Sequence, residues 1–144
     1  LLQPYHKNLT SSLVKTPKLY WFDNGLQRHL SGYGFETNNG QLFENYVASE
    51  MMKLIRTNRV DAKLYFYRTR SGMEVDFILE TGNGILGLEV KNREVVSKTD
   101  FTNLKKLAIA AGKEWKAGIV IYRGNKILNY GERLWAIPST RLFG

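Results

Sequence analysis

Residues 41–138 alternate between stretches with a helical apolar period and stretches rich in aromatic and branched side chains. Their order, helix, three strands, helix, strand, then two short terminal strands, predicts an α/β sandwich. Two further observations agree. A chain of 144 residues suits one domain with a real core and is short for two. Its 43% hydrophobic and 24% charged residues are ordinary globular usage, which excludes disorder, collagen-like repeats and coiled coil.

Each element has its own signal. Residues 1–18 carry Pro4 and Pro17 with polar residues between, and are expected to be a connecting or peripheral segment with at most a brief hairpin. A short helix is expected within 19–31, with Asp23 or Asn24 as N-cap and Leu26 and Leu30 one turn apart. Residues 31–40 are loop by composition. The chain divides into an N-terminal segment, 1–40, and a domain, 41–144.

The strongest helix pattern covers 41–57. Val47, Ala48, Met51 and Ile55 share one stripe, and Asn45, Ser49, Lys53 and Arg56 fall opposite. Glu44 lies in the centre of the apolar stripe, where an unpaired carboxylate is costly, so it is expected to point into a pocket with a partner. Strands are expected at 63–69, 74–80 and 85–91, the last two joined by the turn TGNG at 81–84. A helix follows at 98–111, capped by Thr99 and closed by Gly112, with Phe101, Leu104, Leu107, Ala108 and Ala111 inward. The strand AGIVIYR at 117–123 and the short strands KILNY and RLWAIP complete the chain.

Composition narrows the chemistry. The absence of cysteine excludes disulfides, zinc-thiolate sites and cysteine nucleophiles. With only His6 and His29, a histidine-rich metal site or a serine triad is also a poor reading, and neither histidine is assigned a role. No apolar run has the length of a membrane span and no signal-peptide pattern is visible, so a cytoplasmic location is expected. The net charge of +8 favours a polyanionic partner, nucleic acid first. Its distribution is uneven: residues 41–80 hold six acids and six bases, whereas 81–144 hold five acids and eleven bases.

The hairpin allows a geometric expectation. A turn centred on Gly82 and Asn83 pairs residues whose numbers sum to 165, so Asp76 faces Glu89. Opposed carboxylates repel and call for a positive charge, and period-two alternation sets Lys91 on the same face. Oxygen ligands of this kind suit Mg²⁺ or Mn²⁺, with water and substrate phosphate completing the shell. The competing explanation is a surface ion-pair ladder in which Lys91 pairs with Glu89 or with Glu74; a bulge in the strand would also break the register.

Glu44 on a helix, Asp76 in EVDF, and Glu89 with Lys91 in LEVK together resemble the PD-(D/E)xK nuclease superfamily, whose restriction-endonuclease-like core runs helix, three-strand antiparallel meander, helix, strand. More narrowly, KTPKLYWFDNGL, LFENYVASEMMKL, LYFYRTRSGMEVDFILE and GLEVKN resemble the C-terminal domain of bacterial and archaeal AAA-type ATPases, catalogued as domain of unknown function 4143. The likeness spans most of residues 4–92. It implies Asp76 and Glu89 as metal-binding carboxylates, Lys91 as the active-site lysine and Glu44 as the helix carboxylate that completes the site. Val75 stands where the superfamily name has proline. The resemblance also implies that 41–144 is the nuclease-like domain, that 1–40 is the tail of a winged-helix region, and that an ATPase domain precedes it.

Lower-weight candidates for a DNA backbone are Arg68 and Arg70 beside the first strand and Lys105 and Lys106 on the second helix. Trp21, Phe22, Tyr65, Tyr67 and Trp135 are expected to pack rather than stack on bases. Two functions are therefore carried forward: a Mg²⁺-dependent DNA phosphodiester hydrolase, and a catalytically weak or inactive nucleic-acid-binding or regulatory module of the ATPase.

Overall fold

The computed structural model describes residues 1–7, 9, 13–21, 25, 29 and 40–144. The helix expected within 19–31 and the loop over 31–40 lie mostly outside the described residues, as does Phe22. The ordered elements are α1 (Gly40–Thr57), β1 (Ala62–Arg68), β2 (Glu74–Thr81), β3 (Gly84–Lys91), α2 (Thr102–Ala111), β4 (Trp115–Tyr122), β5 (Leu128–Gly131), β6 (Leu134–Pro138) and α3 (Ser139–Phe143). A 3₁₀ turn, Lys98–Phe101, opens α2, so the helix expected from 98 begins as a tighter coil.

The strands form one six-stranded sheet in the order β1-β2-β3-β4-β6-β5. β1, β2 and β3 make an antiparallel meander, β3, β4 and β6 run parallel, and β5 returns antiparallel at the far edge. The parallel step from β3 to β4 needs a crossover, and α2 supplies it. The short helix α3, not expected from the sequence, follows Pro138 and sends Phe143 edge-on against Tyr46 of α1.

Two apolar layers sandwich the sheet. Val47, Ala48 and Met51 of α1 pack with Phe66, Phe77, Leu88 and Ile121. Phe101, Leu104 and Leu107 pack with Tyr67, Val75, Ile78, Ile85 and Val120. Chain neighbours such as Phe66 and Tyr67, or Val120 and Ile121, belong to different layers, so α1 and α2 cover opposite faces. Gly87 lets α2 close down: a Cβ there would lie 2.8 Å from Leu104 Cδ2 and 3.0 Å from the Trp115 ring.

The expected polar face of α1 needs correction. Asn45 and Ser49, expected on the outward face of α1, are each only 2% exposed. Both are satisfied inside: the Trp21 N–H donates to Asn45 Oδ1 (2.6 Å), the Asn45 amide donates to the Trp21 carbonyl (2.8 Å), and Ser49 Oγ donates to the Tyr46 carbonyl (2.9 Å). The described residues of 1–18 run beside β1, an edge strand of the sheet. Leu2 and Tyr5 are buried in the two layers, and backbone bridges join Leu2 to Lys18, Pro4 to Phe66 and Leu13 to Thr69.

Candidate functional site

The β2–β3 hairpin keeps the 165 register from Thr81↔Gly84 to Phe77↔Leu88. On its other edge β2 is irregular. Tyr65 pairs with Ile78 and Tyr67 with Val75, so Asp76 and Phe77 together oppose the single residue Phe66. This is a β-bulge, which releases one residue from strict alternation. Val75 and Ile78 thereby both face the α2 layer, Phe77 faces α1, and Asp76 is left over. Its carboxylate accepts the Val90 N–H at 2.8 Å, a side-chain oxygen taking a strand amide just past the last ladder pair.

Asp76 and Glu89 meet across the hairpin and share a hydrogen bond. Glu89 is buried, 5% exposed, and its Oε2 lies 3.5 Å from the Lys91 ammonium, which keeps a third of its side chain in solvent. Burial, and then the charge of Asp76, push the Glu89 carboxyl up to about 9, against the pull of Lys91. Burial likewise raises Asp76, while the Val90 N–H and Lys91 favour its charged form. Two adjacent carboxyls whose charged forms burial disfavours are a ready donor set for a hard cation, which would cancel their repulsion.

Glu44 reaches the same region from α1. The Tyr20 hydroxyl donates to its Oε1 at 2.5 Å, and the Lys18 ammonium stands 3.8 Å from that oxygen. Burial raises the Glu44 carboxyl, the neighbouring Asp76 adds to this, and Tyr20 and Lys18 oppose it. The expected pocket and partner for a carboxylate in an apolar stripe are therefore present. Lys18 also ion-pairs with Glu74, whose other oxygen lies 3.8 Å from Arg68 Nε. Glu74 is thus paired with Lys18 and Arg68, and Lys91 with Glu89. Among the described residues no three His, Cys, Asp or Glu side chains converge closely enough to hold a metal by themselves; Asp76 and Glu89 supply two carboxylates, the number Mg²⁺ ordinarily takes from a protein.

The remaining candidates scatter. Arg68 adjoins the cluster through Glu74, whereas Arg70, in the exposed turn after β1, and Lys105 and Lys106, exposed on α2, form no ion pair with these carboxylates among the described residues. His6 lies with Lys7 beside Glu80, at the far end of β2. Tyr67 is core, Tyr65 packs on Tyr5, and Trp21 is held by Asn45, but Trp135 is 40% exposed. Lys18 and Tyr20 were not singled out by sequence reasoning. The local signal that bears on them is Pro17, which ends any helix and favours an extended Thr16.

Among the described residues no helix is long and apolar enough to cross a membrane. Similar proteins include an uncharacterized protein of Mycobacterium bovis and an uncharacterized protein of Mycobacterium tuberculosis, each 24% identical over 98% of this chain. The chain spans about a third of the length of these relatives, 32% in each case. The family model described as domain of unknown function (DUF4143) matches residues 39–142, and the chain belongs to that family.

Proposed function

We propose that this chain is a PD-(D/E)xK nuclease-like module that hydrolyses DNA phosphodiesters with Mg²⁺ or Mn²⁺, and that it serves as the C-terminal part of an AAA-type ATPase in the cytoplasm. The observation that carries the reading is the pairing of half-buried Asp76 with buried Glu89 just past the last ladder pair of the hairpin, with the Lys91 ammonium at its rim. The superfamily resemblance supplies the reaction class. The ATPase context rests on the same resemblance and on relatives about three times this chain's length, long enough to hold such a module.

Each residue has a role. Asp76 and Glu89 would hold the cation, and the Val90 N–H, donating to one Asp76 oxygen, fixes the orientation of that carboxylate. An ion held there would supply Lewis-acid polarisation of a phosphoryl oxygen and would acidify a water. Lys91 carries positive charge to where the phosphorane oxygens gain negative charge, and Glu44, held by Tyr20, receives a water or a second ion. Arg68, Arg70, Lys105 and Lys106 are available to the DNA backbone.

The test uses supercoiled, branched and single-stranded DNA with Mn²⁺. Wild type is expected to cut at least one of them, and Asp76→Asn and Lys91→Ala to lose the activity. Cleavage at the wild-type rate by Asp76→Asn overturns the assignment. Binding without cleavage by wild type identifies the second reading, a nucleic-acid-binding or regulatory module.

A further inference from the structure

Glu44 is the one member of the site that does not come from the hairpin or its strands, so its side chain must be oriented by something else. Residues 18–21 do this. The run is fixed at both ends: Leu2 and Lys18 exchange two backbone hydrogen bonds (2.7 and 3.0 Å), and the Trp21 peptide is gripped on both its N–H and its carbonyl by buried Asn45. Between these anchors the Tyr20 hydroxyl and the Lys18 ammonium both reach Glu44 Oε1. The Tyr20 ring is wedged against Phe77, the neighbour of Asp76 in the bulge, with ring centres 5.5 Å apart. The Lys18 ammonium lies 5.3 Å from the centre of the Phe66 ring, opposite that bulge, and bridges Glu44 to Glu74.

We propose that Lys18 and Tyr20 are positioning residues of the phosphodiester site: Tyr20 holds the Glu44 carboxylate beside Asp76, and Lys18 offsets the charge of Glu44 and Glu74 at the edge where an anionic strand approaches. This rests on the function proposed above and adds to it two residues from a segment outside the helix–hairpin core. The two residues touch one oxygen but act with opposite sign on a cation. A phenol donor orders the Glu44 carboxylate and aids its binding of a divalent ion; an ammonium repels that ion and attracts phosphate.

Mn²⁺ affinity measured by water-proton relaxation at pH 8, and duplex DNA affinity measured by anisotropy in chelator, separate these effects. Tyr20→Phe is expected to weaken Mn²⁺ binding about tenfold or more, the lower end of the range for one hydrogen bond to a charged group. Lys18→Ala is expected to tighten Mn²⁺ about two- to threefold and to weaken DNA by a similar factor, in line with a partly exposed charge. Lys18→Arg restores both values. Urea midpoints of each variant report folding. Unchanged Mn²⁺ affinity in Tyr20→Phe and Lys18→Ala, while Asp76→Asn loses it, overturns the inference and leaves the site reading standing. A fall in both variants with lowered midpoints assigns the segment a purely structural role and also overturns it. No Mn²⁺ binding by wild type removes the site reading, and this inference with it.

Discussion

Replacing Glu89 by glutamine turns the carboxyl pair into a measurement. In the folded chain burial and Asp76 hold Glu89 up to about 9, whereas an unfolded glutamate titrates at about 4.3. Between those values the folded state keeps a proton that the unfolded state has released. Stability therefore falls as pH rises through this window, by at most about 1.4 kcal/mol per pH unit for one retained proton. The sign is opposite to that of a salt-bridged carboxylate. Glutamine keeps the shape and hydrogen-bonding capacity of the protonated acid and does not titrate. The variant should match wild type near pH 4.5 and become progressively more stable than it above that. From pH 5 to 7 the gap should open by about 1–3 kcal/mol, the upper value corresponding to a whole proton and the lower to one shared with Asp76. Urea denaturation at pH 5, 6 and 7 in chelator reads this directly. Adding Mn²⁺ should stabilise wild type most at pH 7 and close the gap, since the ion replaces the proton. Parallel stability curves for wild type and Glu89→Gln across the range refute the argument that burial and the neighbouring carboxyl keep Glu89 protonated.

Three other outcomes are expected. Asn45→Ala removes both partners of the half-buried N–H and carbonyl of Trp21 and should cost about 2 kcal/mol in urea denaturation, at about one kcal/mol per lost partner. Gly84→Ala should cost about 2 kcal/mol or more by the same assay, because φ is +134° there and a Cβ would run into the Glu114 carbonyl oxygen. Lys91→Ala should reduce the DNA cleavage rate about 100-fold or more, the usual effect of removing one charge-stabilising donor, with Mn²⁺ binding retained.

The hairpin was legible because its information is local. A turn of Gly82 and Asn83 flanked by branched strands fixes one register, which holds from Thr81↔Gly84 to Phe77↔Leu88 and leaves Asp76 and Glu89 next to each other just past its last pair. The helix crossover and the two apolar layers follow from periodicity in the same way. The bulge was not legible, because it arises from a mismatch between β1 and β2 that neither strand shows alone. Asn45 and Ser49 were assigned to water on polarity, the correct prior for a helix whose neighbours are unknown. Asn45 is instead satisfied by a peptide 24 residues earlier in the chain. Lys18 and Tyr20 lie in a segment with no apolar period, and their partner Glu44 is likewise distant in sequence. The sequence could state that Glu44 needed a partner; which residue answered it was a tertiary fact.

The extra residue in β2 has a consequence for how this molecule can change. Alternation ties every ordinary strand position to one of two apolar layers, so altering the packing on one side tends to drag its neighbours with it. Asp76 is exempt. The count of residues on either side of it already satisfies both layers without it, as Val75 and Ile78 on one face and Phe77 on the other attest. Core and site are thus written in separate frames on the same strand. Layers around Phe77 and Ile78 can be exchanged for other apolar sets of similar volume while the carboxylate stays where it is, whereas deletion of Asp76 itself would merge the two frames and erase the site while Val75, Phe77 and Ile78 keep the faces they have now.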